Sequence, residues 1–94
     1  MATKLITVEM TGDVNFDPFV SKKNRFHRVT KERYINYFDR VDHTTLTKNT
    51  NYLLTDDLNS NTTKMQKAKK LGIPIVTYAD FAINYQTILQ LSIL

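Results

Sequence analysis

The chemically suggestive residues of this 94-residue chain are hydroxyls and cations rather than nucleophiles. Thr63-Lys64 opens a lysine-rich stretch that follows an apolar run, Tyr52-Leu53-Leu54-Thr55, and a polar loop. If the stretch is a helix, an anion would be held at its first turn, where backbone N–H groups lack partners and the dipole is positive. A lysine at that end is locally unfavourable unless something anionic lies near it. Thr11-Gly12 sets a hydroxyl beside a residue whose missing side chain permits close backbone approach. Between Ser21 and Arg33 lie Lys22, Lys23, Arg25, Arg28, Lys31 and Arg33, opposed only by Glu32, and Lys67, Lys69 and Lys70 accompany Lys64. Cations grouped in this way suit a polyanionic partner; a solvated basic face is the alternative reading.

Catalytic patterns are not evident. His27 and His43 lie far apart in sequence with no cysteine or carboxylate cluster beside them, so both read as surface or loop residues and no metal site is expected. Asp56-Asp57 follows an apolar run and reads as a solvated turn. Neither a nucleophile–base arrangement nor a Walker-type loop is present, so a non-catalytic chain without a cofactor is expected.

The length allows one domain, residues 1–94, and not two. An apolar fraction of 41% is ordinary for a globular fold, and the net charge of +4 gives a pI near 9.4. Without cysteine there are no disulfides or thiolate sites. No apolar run approaches a membrane span, and Met1 to Ile6 has no signal-peptide core. The expected location is cytoplasmic, associated with nucleoid or replication machinery (nuclear in a eukaryote).

These residues need positioning elements. Lys4 to Thr11 places Ile6, Val8 and Met10 on one side and reads as a strand ending at Gly12. Residues 13–29 have no clean period and read as a long loop, partly folded back through Phe16, Phe19, Val20 and Phe26. Thr30 is a helix N-cap, and the helix is expected from about Lys31 to about Arg40 with Tyr34, Phe38 and Val41 on one face. Asp42–Leu46 reads as a short strand, Thr47–Thr50 as a turn and Tyr52–Thr55 as a buried parallel strand. Thr62 or Thr63 caps the lysine-rich helix, whose buried stripe is Met65, Ala68 and Leu71, with Gly72 as its stop. Ile73–Thr77 is the fourth strand. Phe81, Tyr85, Ile88 and Leu89 give a last amphipathic helix, and Leu91, Ile93 and Leu94 an apolar tail. The order β-α-β-β-α-β-α predicts an α/β fold with a four-stranded, mostly parallel sheet flanked by three helices.

That order, together with Thr50-Asn51-Tyr52-Leu53-Leu54, Thr63-Lys64, Lys67-Ala68, Leu71-Gly72-Ile73-Pro74-Ile75-Val76 and Phe81, resembles a BRCT domain. The resemblance covers nearly the whole chain. The chain resembles the single BRCT domains of bacterial NAD-dependent DNA ligases and of the replication factor C large subunit. Thr11-Gly12 matches the family's Thr-Gly at the end of the first strand. The chain departs from the family at Asp39-Arg40, where Gly-Gly is frequent, at Phe81, which is Trp in tandem-repeat members, and in its longer first loop.

The resemblance implies a phosphate site at Thr11, Gly12, Arg28 and Lys64. The chemistry is coherent on its own: a hydroxyl, an unobstructed backbone N–H, a planar guanidinium fork and a flexible ammonium would surround the anion. The expected ligand is DNA bearing a 5′-phosphate at a duplex end or nick, with Lys22, Lys23, Arg25, Lys31 and Lys67 along neighbouring backbone in a salt-sensitive, sequence-independent mode. The implied role is a non-catalytic replication or repair module serving a DNA ligase. The alternative is a protein or phosphopeptide docking module without a DNA role.

Overall fold

The computed structural model describes residues 5–92. Four strands, β1 (Ile6–Thr11), β2 (Val41–His43), β3 (Tyr52–Thr55) and β4 (Ile75–Thr77), form one sheet in the order β2-β1-β3-β4. All three pairings are parallel, with Ile6 opposite Val41, Thr11 opposite Thr55 and Leu53 opposite Ile75. A parallel pair needs a crossover. Helix α1 (Lys31–Asn36) lies between β1 and β2, and α2 (Thr63–Leu71) lies between β3 and β4. Two further helices follow, α3 (Tyr78–Ile83) and α4 (Tyr85–Ser92).

Side chains alternate across a strand, so the two crossover helices use opposite faces of the sheet. Ile6, Val8, Met10 and Leu54 point toward Tyr34, Phe38, Tyr78, Phe81 and Tyr85 of the α1, α3 and α4 layer. Leu53 points the other way, toward Met65 and Ala68 of α2, with Leu46 and Ile73 closing that smaller core. The first layer is an edge-to-face aromatic lattice in which Phe38 meets Tyr34, Phe81 and Tyr85 at centroid distances of 5.1, 5.2 and 4.8 Å.

Three threonines start three of the helices by the same device. Thr30, Thr62 and Thr77 are extended, and each side-chain oxygen accepts the N–H three residues on, at 3.0, 3.2 and 3.0 Å. Gly72 adopts φ +72° and turns the chain out of α2.

Several boundaries differ from the sequence reading. The expected α1 to about Arg40 stops at Asn36, because Tyr37 and Phe38 N–H groups bond to Tyr34 and Ile35 carbonyls and tighten the last turn. Val41 therefore opens β2 rather than closing a helical face, and Leu46 lies beyond the strand as a core plug. Strand β4 begins at Ile75, after Pro74, instead of at Ile73. Leu71 is 37% exposed and is not part of the α2 stripe; Ile73, after the glycine turn, fills that role. The single last helix is two, broken at Asn84, whose backbone and side-chain N–H groups both bond to the Asp80 carbonyl at 3.0 and 2.9 Å. Among the described residues the sheet is thus flanked by four α-helices rather than three. Lys4, Ile93 and Leu94, assigned above to the first strand and the tail, lie outside the described residues.

The long loop does fold back. Val14, Phe16 and Asp17 are buried, and Val29 N–H bonds to the Val14 carbonyl at 2.9 Å, closing the loop beneath α1. Asp17 is its hub. It accepts from Phe19 N–H at 3.0 Å and Arg33 Nε at 3.1 Å, and His27 Nε2 stands 3.2 Å away. Burial alone raises the Asp17 carboxyl pKa, but the Phe19 and Arg33 hydrogen bonds and the charges of Arg33 and His27 outweigh it and hold the group below its ordinary value.

Candidate phosphate-binding site

Strands β1 and β3 are neighbours whose crossovers leave in opposite directions, β1 to β2 through α1 and β3 to β4 through α2. The carboxyl ends of such a strand pair diverge into a crevice, the usual ligand position in an open α/β sheet. Thr11-Gly12 and Thr55-Asp56 form its floor, and the start of α2 forms one wall.

The turn at Gly12 is held from two sides. Its φ of +77° is in the left-handed region, which favours glycine, and a β-carbon there would displace the Asp56 carboxylate. The buried Tyr78 hydroxyl donates toward the carbonyls of Thr11 at 3.0 Å and Gly12 at 3.2 Å. Burial raises the ionisation pKa of that phenol, and the charges of Asp56, Asp13 and Glu9 add to the rise while the bond to Thr11 opposes it.

Thr11 is 7% exposed and its hydroxyl donates to Thr62 Oγ1 at 2.9 Å, tying β1 to the N-cap of α2. Lys64 reaches back over the strand end. Its Nζ donates to the Met10 carbonyl at 2.9 Å and lies 3.6 Å from Glu9 Oε1. Glu9 is nearly buried, accepts from Met10 N–H at 2.8 Å and meets His43 Nε2 at 2.6 Å. Burial alone raises the Glu9 pKa; the Met10 hydrogen bond, the His43 contact and the Lys64 charge prevail and lower it. The crevice thus already contains an anion for its lysine.

Of the four residues inferred from sequence, Thr11, Gly12 and Lys64 come together at the end of β1. Arg28 stands at the rim, where its Nη2 pairs with Asp13 Oδ2 at 2.6 Å, one residue past Gly12. Both partners are mostly exposed, so this pair holds Arg28 only weakly. The five residues inferred as backbone contacts separate into two kinds. Lys22 and Lys23, on a 3₁₀ turn (Lys22–Asn24), and Lys31 and Lys67, on helices, are exposed. Arg25 is half-buried, donates Nε to the Val20 carbonyl at 3.1 Å and lies 5.7 Å from the Phe16 ring centroid, so it braces the loop.

The sequence reading did not single out Glu9, Thr62's hydroxyl link, Tyr78 or the approach of Asp56 to Gly12. Glu9 carries a signal: it is the one acid in a strand of otherwise apolar or hydroxyl residues. Asp56 carries none, because its contact depends on the register of β1 against β3.

A family model described as the BRCA1 C Terminus (BRCT) domain matches residues 22–81. The chain belongs to the BRCT family. No curated protein and no solved structure matches it. The BRCT match contains Arg28 and Lys64 but begins after Thr11-Gly12, whose place in the crevice rests on the sheet pairing alone. It also contains Asp39-Arg40, where this BRCT domain lacks the frequent Gly-Gly. Tyr85 serves that turn instead: its hydroxyl donates to Asp39 Oδ1 at 2.8 Å and accepts from Arg40 N–H at 3.1 Å. The Asp39 bond also pushes the Tyr85 pKa, already raised by burial, up to about 12.

Proposed function

We propose that this BRCT domain is a non-catalytic DNA-binding module of replication or repair. It holds the 5′-phosphate of a duplex end or nick in the β1–β3 crevice and serves a DNA ligase or another replication enzyme. The observation that carries this reading is the convergence of Thr11, Gly12 and Lys64 at the strand ends, beside the N-terminus of the nine-residue α2.

Binding involves an exchange of partners. Arg28 leaves a solvent-exposed pair with Asp13, a change of about 1 kcal/mol or less. The incoming phosphate takes charge-assisted hydrogen bonds contributing about 1.5–3 kcal/mol each. Asp56 is the competing anion at Gly12 and turns away. Lys22, Lys23 and Lys31 then lie against neighbouring backbone and add a salt-dependent contribution without sequence preference.

Fluorescence anisotropy on two duplexes of identical sequence, one 5′-phosphorylated and one not, tests the reading at moderate salt. The phosphorylated duplex is expected to bind roughly tenfold more tightly, as one good charge-assisted contact provides. Equal affinities would remove the end-binding claim.

A further inference from the structure

Lys64 shares its anion. Three groups converge on one carboxylate oxygen, Glu9 Oε1: the Met10 N–H at 2.8 Å, His43 Nε2 at 2.6 Å and Lys64 Nζ at 3.6 Å. The last distance is that of an ion pair and not of a hydrogen bond. The hydrogen bond of Lys64 goes to the Met10 carbonyl at 2.9 Å. An ionised carboxylate only accepts, so His43 presents Nε2–H to it and a second proton goes on Nδ1. Among the described residues no other ion pair reaches these three side chains. On this face of the sheet, Leu53 of β3 and Leu46 are apolar, and Lys67, Lys69 and Lys70 of α2 are exposed. Asp42, beside His43 in β2, is exposed as well. Helix α1 packs on the opposite face, with Arg33 turned to Asp17 and with Lys31 and Glu32 exposed.

The charge of this trio depends on the imidazole. With His43 neutral, Lys64 is the counter-charge of Glu9, and the trio is neutral. With His43 protonated, the imidazolium stands nearer to the shared oxygen than the ammonium does, at 2.6 against 3.6 Å. Lys64, still anchored on the Met10 carbonyl, then carries surplus positive charge at the crevice. Histidine is the side chain whose charge ordinarily changes between about pH 5 and pH 8. We infer that His43 is a positioning residue of the phosphate site: by taking a proton it relieves Lys64 of Glu9, so that phosphate binding is linked to proton uptake. The inference rests on the phosphate reading of the crevice and adds what sets the strength of its lysine.

Anisotropy with the phosphorylated and unphosphorylated duplexes, from about pH 8 to about pH 6.5 at fixed ionic strength, tests it on the whole chain. His43→Gln keeps an N–H for Glu9 but cannot gain charge. The preference for the phosphorylated duplex should rise about threefold to fivefold across the range and stay flat in His43→Gln. Protonation of the phosphate itself, with a second pKa of about 6, works in the opposite direction. Glu9→Gln removes the charge that both cations share and should hold the preference at its higher level throughout. His27→Gln, the control at the other histidine, should keep the rise. Calorimetry at about pH 7, in two buffers of different protonation heat, should show proton uptake with the phosphorylated duplex and none in His43→Gln. Circular dichroism checks that each variant is folded. A preference that is constant with pH, a rise that persists in His43→Gln or Glu9→Gln, or one lost in His27→Gln instead would overturn the inference and leave the phosphate reading standing. No preference at any pH would remove the phosphate reading and this inference with it.

Discussion

The crevice and the long loop both carry cations, but the two sets differ in what they already hold. At the crevice, Lys64 is bonded to the Met10 carbonyl and faces Glu9, and Arg28 is paired with Asp13. On the loop, Lys22 and Lys23 stand in solvent on a short turn with no acid in it. Exposed lysines attract any polyanion at long range and discriminate little. A lysine already placed against a carbonyl and a carboxylate has lost much of its rotamer freedom, so it can select by geometry. The difference teaches that charge count locates the partner's class, while pre-existing contacts locate the point of discrimination.

Lys64→Ala attacks the discriminating half. It is expected to abolish the preference for 5′-phosphate, a loss of roughly tenfold for the phosphorylated duplex, while Lys70→Ala on the same helix changes little. If the two variants bind alike, the crevice is no more selective than the surface. Lys22→Glu together with Lys23→Glu attacks the other half. Both duplexes should weaken together by about tenfold, with the slope of log affinity against log salt falling by about two. A selective loss for one duplex would break the comparison. Asp56→Asn removes the internal competitor and should tighten phosphate binding by about threefold; weaker binding would make Asp56 a support for the Gly12 turn instead.

The smallest expected effect concerns pH. Glu9 and Asp17 both have folded pKa values below their ordinary 4.5 and 3.8. A carboxyl lowered on folding stabilises the native state above its unfolded pKa, and that stabilisation is lost as pH falls through the folded value. Urea midpoints should therefore decline as pH drops below about 4.5. Glu9→Gln should flatten part of the decline and leave the Asp17 part. An unchanged slope in Glu9→Gln would show that the crevice carboxylate is not held as its contacts imply.

Much of the architecture was legible because local signals agreed with the global fold. Alternation at Ile6, Val8 and Met10, the capping threonines and Gly72 each act within a few residues of themselves. What was not legible depends on partners distant in sequence. Val41 reads as helical by spacing but is drawn into the sheet opposite Ile6. Ile88 and Leu89 follow the same period as Phe81, yet Asn84 leaves helical geometry, at φ −99° and ψ 11°, and divides the helix. At the crevice, residue types disclosed Thr11, Gly12 and Lys64, whereas the anions beside them, Glu9 and Asp56, arrive through strand direction and register. An acid between Val8 and Met10 shows only that a charge must find a partner, not that Lys64, fifty-five residues on, would be that partner.

The Tyr78 hydroxyl bonds to the two carbonyls that shape the crevice floor, and its ring packs against Tyr34 at 5.3 Å. The chain has five tyrosines and no tryptophan, so light absorbed only by tyrosine gives an emission that is entirely phenolic. An anion that turns Asp56 away alters the charge beside one of those five phenols. The crevice thus has a built-in optical reporter, and ligand entry can be followed on the unlabelled chain.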